Sequence, residues 1–510
     1  MERLVVADSL PDPDNPAEPC PLGPRAVMLG QFAQALPVLR RAAPGGESLE
    51  QSIWQALCLD ELGRRGEALE VLETAARSNL PQTYGAHFAL GLMMARFGRH
   101  EEAARLFTGC AVMQPTRPDA RHHLGKSLQA SGHIDAAVEA FTGAMRLDPG
   151  NADIFVDLSS ALCDAGRFAE GLIAAQVASV ISPACPEAHN NIGYALLSLN
   201  RSIKALPAYE TAIALRAGFT HARFGHAVAL LKSGDFVRGW RQYEARWQDC
   251  QIARSDLGPA WRGEDLRNTT ILLHAEQGLG DTLQFVRFAP LVAARGARVV
   301  LEVPASLVEL LHGVEGVADV IACGDPLPPI DWHCPMASLP LLFDLRIDAV
   351  PAAPYLRAPA SFETPCCHEH ADLRVGLVWA GDARPSDTRS NLIDRRRSTS
   401  LGTLAPLFAI QGVRFASYQL GPPRAQIEDA GLPVVDAMHG VTSFADTAAR
   451  LAGCDLLISV DTAMVHLAGG LGKPVWMLSR FDGCWRWLEE TSETPWYPSM
   501  RIFRQPTPGD

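Results

Sequence analysis

Through the first half of the chain, apolar residues keep a helical spacing, and the same arrangement returns at a step of 34. Leu90, Leu124, Leu158 and Ile192 share one column. Phe107, Phe141, Tyr209 and Tyr243 share another, interrupted at Ala175. Gly91, Gly125 and Gly193 hold a small-residue column in which Ser159 fills the gap. Gly98, Gly132, Gly166, Asn200 and Gly234 form a fourth, and Pro115, Pro149 and Pro183 a fifth. The segments GQFAQAL (from Gly30) and GRRGEAL (from Gly63) extend the series with shifts of one residue. Each unit predicts a helical hairpin whose apolar face only its neighbours can cover. Gly and Asn suit the left-handed turn between the helices, and the Pro ends the second helix.

A period of 34 with these small and aromatic columns is the tetratricopeptide pattern, predicting an α-solenoid of five to seven units over residues 22–247. Most repeated positions are then core. His122 and His123 fall in a first helix as packing residues, and any function lies in a groove suited to an extended protein partner. Trp240, Tyr243 and Trp247, at helical spacing in the last unit, read as a cap against the next domain.

From Ile271 the period changes to strand, turn, helix. Strands are expected at Ile271–Ala275, Arg298–Val303, Val320–Ala322, Arg374–Ala380, Val413–Leu420, Asp455–Val460 and Pro474–Leu478, with helical patterns between most of them. That alternation predicts parallel sheets. Leu356–Leu373, rich in Pro and Cys, reads as a linker between two α/β lobes facing each other across a cleft. The plan is a tail over 1–21, the solenoid over 22–247, a connector over 248–268, lobes over 269–355 and 374–510, and the linker over 356–373.

Three motifs lie at expected strand ends. In EQGLGDTLQF, Gln277, Gly278 and Gly280 form a tight loop, and Gly280-Asp281 opens a helix. Asp281 is either that helix's N-cap or a general base pointing into the cleft. In CDLLISVDTAMVHLAGGLGKPVW, Asp461 and Thr462 are helix caps and His466 follows within the first turn or so. His466 either meets a diphosphate beside the free helix amides or packs against a neighbouring strand. Gly472 suits the helix end, and Lys473-Pro474 leads into the next strand. The third motif follows RVGLVWAG, which ends at Gly381. Its run from Arg384 to Ser398 carries Arg384, Arg389, Arg395, Arg396 and Arg397. Most of these read as a solvated loop, with one or two placed to hold phosphate.

Composition narrows the function classes. The 510 residues carry a net charge of −12 and a pI near 5.7, which disfavours nucleic acid as a partner. No apolar run reaches the roughly 18 residues of a transmembrane helix. The N-terminus lacks a secretory pattern. Twelve scattered cysteines read as reduced thiols of a cytoplasmic protein. The cluster Cys366–His370 reads as polar linker rather than a metal site, and no metal is expected.

The segments EQGLGDTLQF, RVGLVWAG, RRRSTSL and CDLLISVDTAMVHLAGGLGKPVW resemble the catalytic half of bacterial tetratricopeptide proteins with a glycosyltransferase-9-like domain, itself similar to the lipopolysaccharide heptosyltransferases. The resemblance implies a GT-B fold of two Rossmann-like lobes and an inverting, metal-independent transfer from a nucleotide sugar, which is a substrate and not a cofactor. It implies Asp281 as general base. Arg397, Ser398, Asp461, Thr462 and His466 would serve as donor-phosphate residues, with Lys473 beside them. The layout also resembles protein O-GlcNAc transferases, whose Gly-His-x-Thr type of donor loop this chain lacks. Related proteins of this layout are linked to glycosylation of flagellin or other surface proteins, so the resemblance implies a protein acceptor held by the solenoid. The rival expectation is a non-catalytic scaffold with a degenerate GT-B half.

Overall fold

The computed structural model describes residues 30–40, 49–77, 83–249, 254–351, 354–359 and 373–509. The expected tail over 1–21, the Cys366–His370 cluster and most of the 356–373 linker lie outside these residues. The chain forms two compact units, Met1–Pro183 and Ala184–Asp510.

The first unit is helical throughout its described length. It comprises α1 (Phe32–Leu39), α2 (Leu49–Glu61), α3 (Arg65–Arg77), α4 (Tyr84–Arg96), α5 (His100–Met113), α6 (Pro118–Ala130), α7 (Ile134–Leu147), α8 (Ala152–Asp164) and α9 (Phe168–Ile181). The repeat columns explain its packing. Gly98, Gly132 and Gly166 turn the chain between paired helices at φ of 80°, 81° and 77°, which side chains resist. The small column lies against the aromatic one: a Cβ on Gly125 would stand 2.7 Å from the Phe141 ring. Where the small residue becomes Ser159, the aromatic becomes Ala175, and both are buried. The Ser159 hydroxyl then donates to the Gly171 carbonyl at 2.8 Å. His122 pairs with Asp157 at 2.7 Å, and His123 stacks on Phe107.

The second unit opens with four more helices, α10 (Pro186–Ser198), α11 (Ser202–Leu215), α12 (Thr220–Lys232) and α13 (Phe236–Tyr243), followed by two parallel sheets. The first sheet contains β1 (Thr270–His274), β2 (Arg298–Val303), β3 (Val317–Ala322) and β4 (Trp332–Pro335) in the order β3-β2-β1-β4. The second contains β5 (Leu373–Val378), β6 (Val413–Ser417), β7 (Val434–Asp436), β8 (Leu456–Val460), β9 (Val475–Ser479) and β10 (Met500–Arg504). Its order is β10-β9-β8-β5-β6-β7. Counted within that sheet this is 3-2-1-4-5-6, the arrangement of doubly wound dinucleotide-binding sheets. The helices of this region include α14 (Leu279–Phe285), α15 (Thr388–Arg397), α16 (Phe444–Ala452) and α17 (Ala463–Gly470), of which α14, α15 and α17 carry the candidate site residues.

The seven expected strands are present, β2 with the expected ends and the other six with altered ones, and β4, β7 and β10 join them. The ends at Ala380 and Leu420 are corrected by one side chain. The Gln419 amide oxygen accepts from the Trp379 and Ala380 N–H groups at 3.0 and 2.9 Å, and its NH2 donates to the Ala380 carbonyl at 3.0 Å. A side chain thus replaces the ladder beyond Val378, and the two strands part there. Among the described residues no helix is long and apolar enough to cross a membrane.

Trp240 and Tyr243 of α13 are buried, and both pack edge-on against Trp485. Trp240 also meets Phe285 of α14 and Trp496. The last repeat is therefore continuous with the α/β core of the second unit.

Candidate functional site

In a doubly wound sheet, ligands sit where the strand order reverses, at the carboxyl ends of the first and fourth strands. Here those strands are β5 and β8. Gly381 follows β5, Asp461 and Thr462 follow β8, and the end of α15 brings Arg397 and Ser398 to the same place. The Gly381 N–H donates to the Ser398 hydroxyl at 2.9 Å. Arg397 donates from Nε to Asp394 Oδ1 at 2.8 Å and from Nη1 to the Asp461 carbonyl at 3.2 Å. A Cβ on Gly381 would collide with both Arg397 Nη2 and Asp394 Oδ1, so any other residue there would push these two side chains aside. Thr462 caps α17, its hydroxyl accepting from the Met464 N–H at 3.3 Å, and Asp461 Oδ2 accepts from Trp487 Nε1 at 2.9 Å. The structure thus gathers Gly381, Arg397, Ser398, Asp461 and Thr462.

The Gly-Leu-Gly-Asp loop sits at the end of β1. The helix there starts at Leu279, with Gly278 as its N-cap, rather than at Gly280-Asp281. Asp281 is therefore not the cap. It lies three residues inside and folds back, Oδ2 accepting from the Gly278 N–H at 2.9 Å. Its other oxygen accepts from Arg486 Nη2. Arg486 is buried and also donates from Nε to the Gln284 side chain at 2.5 Å. Gln277 donates to the Tyr243 hydroxyl at 3.2 Å. Gly280 serves helix contact: a Cβ there would stand 2.7 Å from His466 Cδ2 and 3.5 Å from Ala463 Cα, so α14 and α17 cross at the glycine.

His466 is 5% exposed. It lies against α14 and two aromatic rings, rather than against a strand. Nδ1 is 2.9 Å from the Tyr497 hydroxyl, and the ring stacks on Trp487 at 5.4 Å. Burial, and then the Arg486 and Arg287 guanidinium groups, hold its pKa well below the ordinary histidine value, so the imidazole is neutral. Lys473 is not part of the gathering. It precedes β9, at the opposite edge of the sheet, and donates to the Ala452 and Cys454 carbonyls.

The corresponding switch point of the first sheet, between β1 and β4, is filled from within. Glu276 accepts from Arg246 Nε and Nη2 at 2.9 Å each, and from the Ala337 N–H at 3.0 Å. Burial pushes the Glu276 carboxyl up, against the pull of Arg246. Arg246 at this switch point, and Arg486, Trp487 and Tyr497 beside Asp281, Asp461 and His466, are not among the residues that the sequence motifs single out. The three tryptophans and one tyrosine that accompany Arg486 in GCWRWLEETSETPWYP are the signal that could have found Arg486, Trp487 and Tyr497.

Models of the tetratricopeptide repeat match residues 55–118, 123–188 and 186–219. The chain is 27% identical over 314 residues to Protein FlbA of Caulobacter vibrioides, covering 55% of this chain and 51% of FlbA. It therefore spans about half the length of that relative. Solved structures with partial likeness include MamA, 22% identical at a TM-score of 0.29 over 31% of this chain and 94% of that one. Another is a thermophilic tetratricopeptide protein of Thermus thermophilus, 20% identical at a TM-score of 0.30 over 36% of this chain and 100% of that one. A third, YrrB, is 16% identical at a TM-score of 0.29 over 39% of this chain and 95% of that one. The chain is a tetratricopeptide-repeat protein distantly related to FlbA, with a parallel α/β region after the repeats.

Proposed function

We propose that the α/β region is a GT-B glycosyltransferase that moves a sugar from a nucleotide donor to a protein hydroxyl, the repeats holding the acceptor. The observation that carries this reading is the meeting of Gly381, Arg397, Ser398, Asp461 and Thr462 at the β5–β8 switch point. A guanidinium, a hydroxyl pair and a helix start suit the phosphates of a nucleotide. In the transfer, the acceptor oxygen bonds to the anomeric carbon as the bond from that carbon to phosphate breaks. The acceptor proton passes to Asp281, and Arg397, Ser398 and Thr462 meet the charge left on the phosphate. To act so, Asp281 exchanges its contact with Arg486 for the acceptor hydroxyl. Flagellin or another surface protein is the acceptor the resemblance favours.

A second reading is a scaffold that binds partners through its repeats without transfer, and the engagement of both Asp281 oxygens favours it. Thermal shift against a panel of nucleotides and sugar nucleotides, followed by a transfer assay on acceptor protein, separates them. The transferase reading expects a nucleotide-specific shift that Gly381→Ala removes and Lys473→Ala leaves, and transfer that Asp281→Ala abolishes. A well-folded chain that shifts with no nucleotide overturns it, and a donor bound without transfer leaves the scaffold.

A further inference from the structure

The carboxyl edge of β9 and β10 gathers more cations than carboxylates. Lys232 from the end of α12, Arg396 from the last turn of α15, Arg480 after β9 and Arg504 of β10 meet Asp482 and Glu489 there. The setting is largely closed to water: Lys232 is 2% exposed, and the side chains of Arg480 and Asp482 are 14% and 8% exposed. Neither carboxylate is at liberty. Asp482 offers the same oxygen, Oδ2, to Arg396 at 3.4 Å and to Arg480 at 3.3 Å. Glu489 Oε1 accepts from the Ser202 hydroxyl at 2.5 Å and the Ser202 N–H at 3.2 Å. Lys232 donates to the Leu197 carbonyl at 3.3 Å, and burial brings its pKa down to about 8. Arg480 Nη1, the atom that faces Asp482 Oδ2, is buried and lacks hydrogen-bond geometry toward it. Arg504 lies over Gly483, where a Cβ would come within 2.7 Å of its Nη1.

A surplus of positive charge in so closed a position is unfavourable without an anion to balance it. The cluster also adjoins the switch point. The last turn of α15 sends Arg397 to the Asp461 carbonyl after β8 and Arg396 to Asp482 after β9. We propose that Lys232, Arg396, Arg480 and Arg504 form an anion-binding site for a phosphate or carboxylate group of a ligand seated at the β5–β8 switch point. The placement of that ligand rests on the nucleotide reading above, whereas binding of the bare anion does not.

The test is calorimetric titration of the full chain with inorganic phosphate, pyrophosphate and glucuronate. Wild type should bind at least one of them, weakening as salt rises. Arg480→Gln should weaken binding by about tenfold or more, the scale of a lost charge-assisted contact. Asp482→Asn should strengthen it, because the competing carboxylate is gone; a purely structural role for these arginines does not predict that gain. Tighter binding of pyrophosphate assigns the group as a phosphate chain, and tighter binding of glucuronate assigns it as a carboxylate. The proposal is overturned if none of the three anions binds at millimolar concentration, or if both variants bind like wild type. It is equally overturned if Gly381→Ala abolishes binding while Arg480→Gln leaves it intact. Should Arg480→Gln not fold, the response of Asp482→Asn decides. Anion binding that survives alongside a failed nucleotide screen upholds this site and removes only the transferase reading.

Discussion

Gly280 and His466 stand so close that a methyl group on the glycine would overlap the imidazole, its carbon 2.7 Å from Cδ2. This contact joins the helix after β1 to the helix after β8, and so ties the two sheets together. Gly280→Ala therefore forces His466 or α14 to move, although its backbone conformation tolerates alanine. We expect a loss of about 1–3 kcal/mol, the usual range for overpacking, read as a lower urea midpoint for the second unit. An unchanged midpoint would show that the crossing is loose.

The Asp281–Arg486 pair predicts strong coupling. Arg486→Met or Asp281→Asn alone leaves one polar partner stranded beside Trp485 and Gln284. Each should cost about 2 kcal/mol or more, less than for a wholly buried pair because the Asp281 side chain keeps 24% of its exposure. The double variant should cost less than the sum of the two. Additive effects in chemical denaturation would mean that the pair contributes no stability.

Burial sets an acid response in both units. It pushes the pKa of His123, in the first unit, and His274, in the second, down to about 4. An unfolded histidine titrates near 6.5. Between those values the unfolded chain binds protons that the folded chain refuses, so stability is fully present above about pH 6.5 and falls on acidification toward pH 4. His123→Phe, which keeps the stack on Phe107, should flatten that fall for the first unit. Denaturation midpoints at pH 7.5 and 5, compared with wild type, check it.

Gly381→Ala should act on binding more than on folding. The added carbon collides with the Arg397 guanidinium and Asp394, which sit beside the switch point rather than in the deep core. Nucleotide affinity should fall at least tenfold with the melting temperature little changed. Lys473→Ala, at the opposite edge of the sheet, should leave affinity as it was.

The repeats were legible because each position recurs and the columns constrain one another: glycine opposite an aromatic, glycine or asparagine at the turn. Strands β1, β2, β8 and β9 showed as apolar runs. β4 and β7 have only four and three residues, too few for a period to appear. β10 alternates, with Met500 and Ile502 buried and Arg501 and Phe503 exposed, but over only five residues. Among candidate site residues, those of the motifs at the ends of β5 and β8 fall together at the carboxyl edge of the sheet. What they could not reveal was the partner of each group. Asp281 and Arg486 are 205 residues apart, and nothing local to either announces the other. Lys473 is near His466 in sequence, but the turn between them carries it to the far edge of the sheet.

The bonds from α10–α13 to the chain's last stretch bear on the order of folding during synthesis. Asn200 donates to the Phe481 carbonyl, and the Ser202 hydroxyl donates to Glu489, across 281 and 287 residues. Helix pairs in the first unit close on near neighbours and can fold as they leave the ribosome. Those from Ala184 onward also close locally, but Trp240 and its neighbours stay exposed until the C-terminal segment with Trp485 and Trp496 arrives. A chain interrupted before Phe481 would hold a finished first unit and a second that is sticky and unfinished.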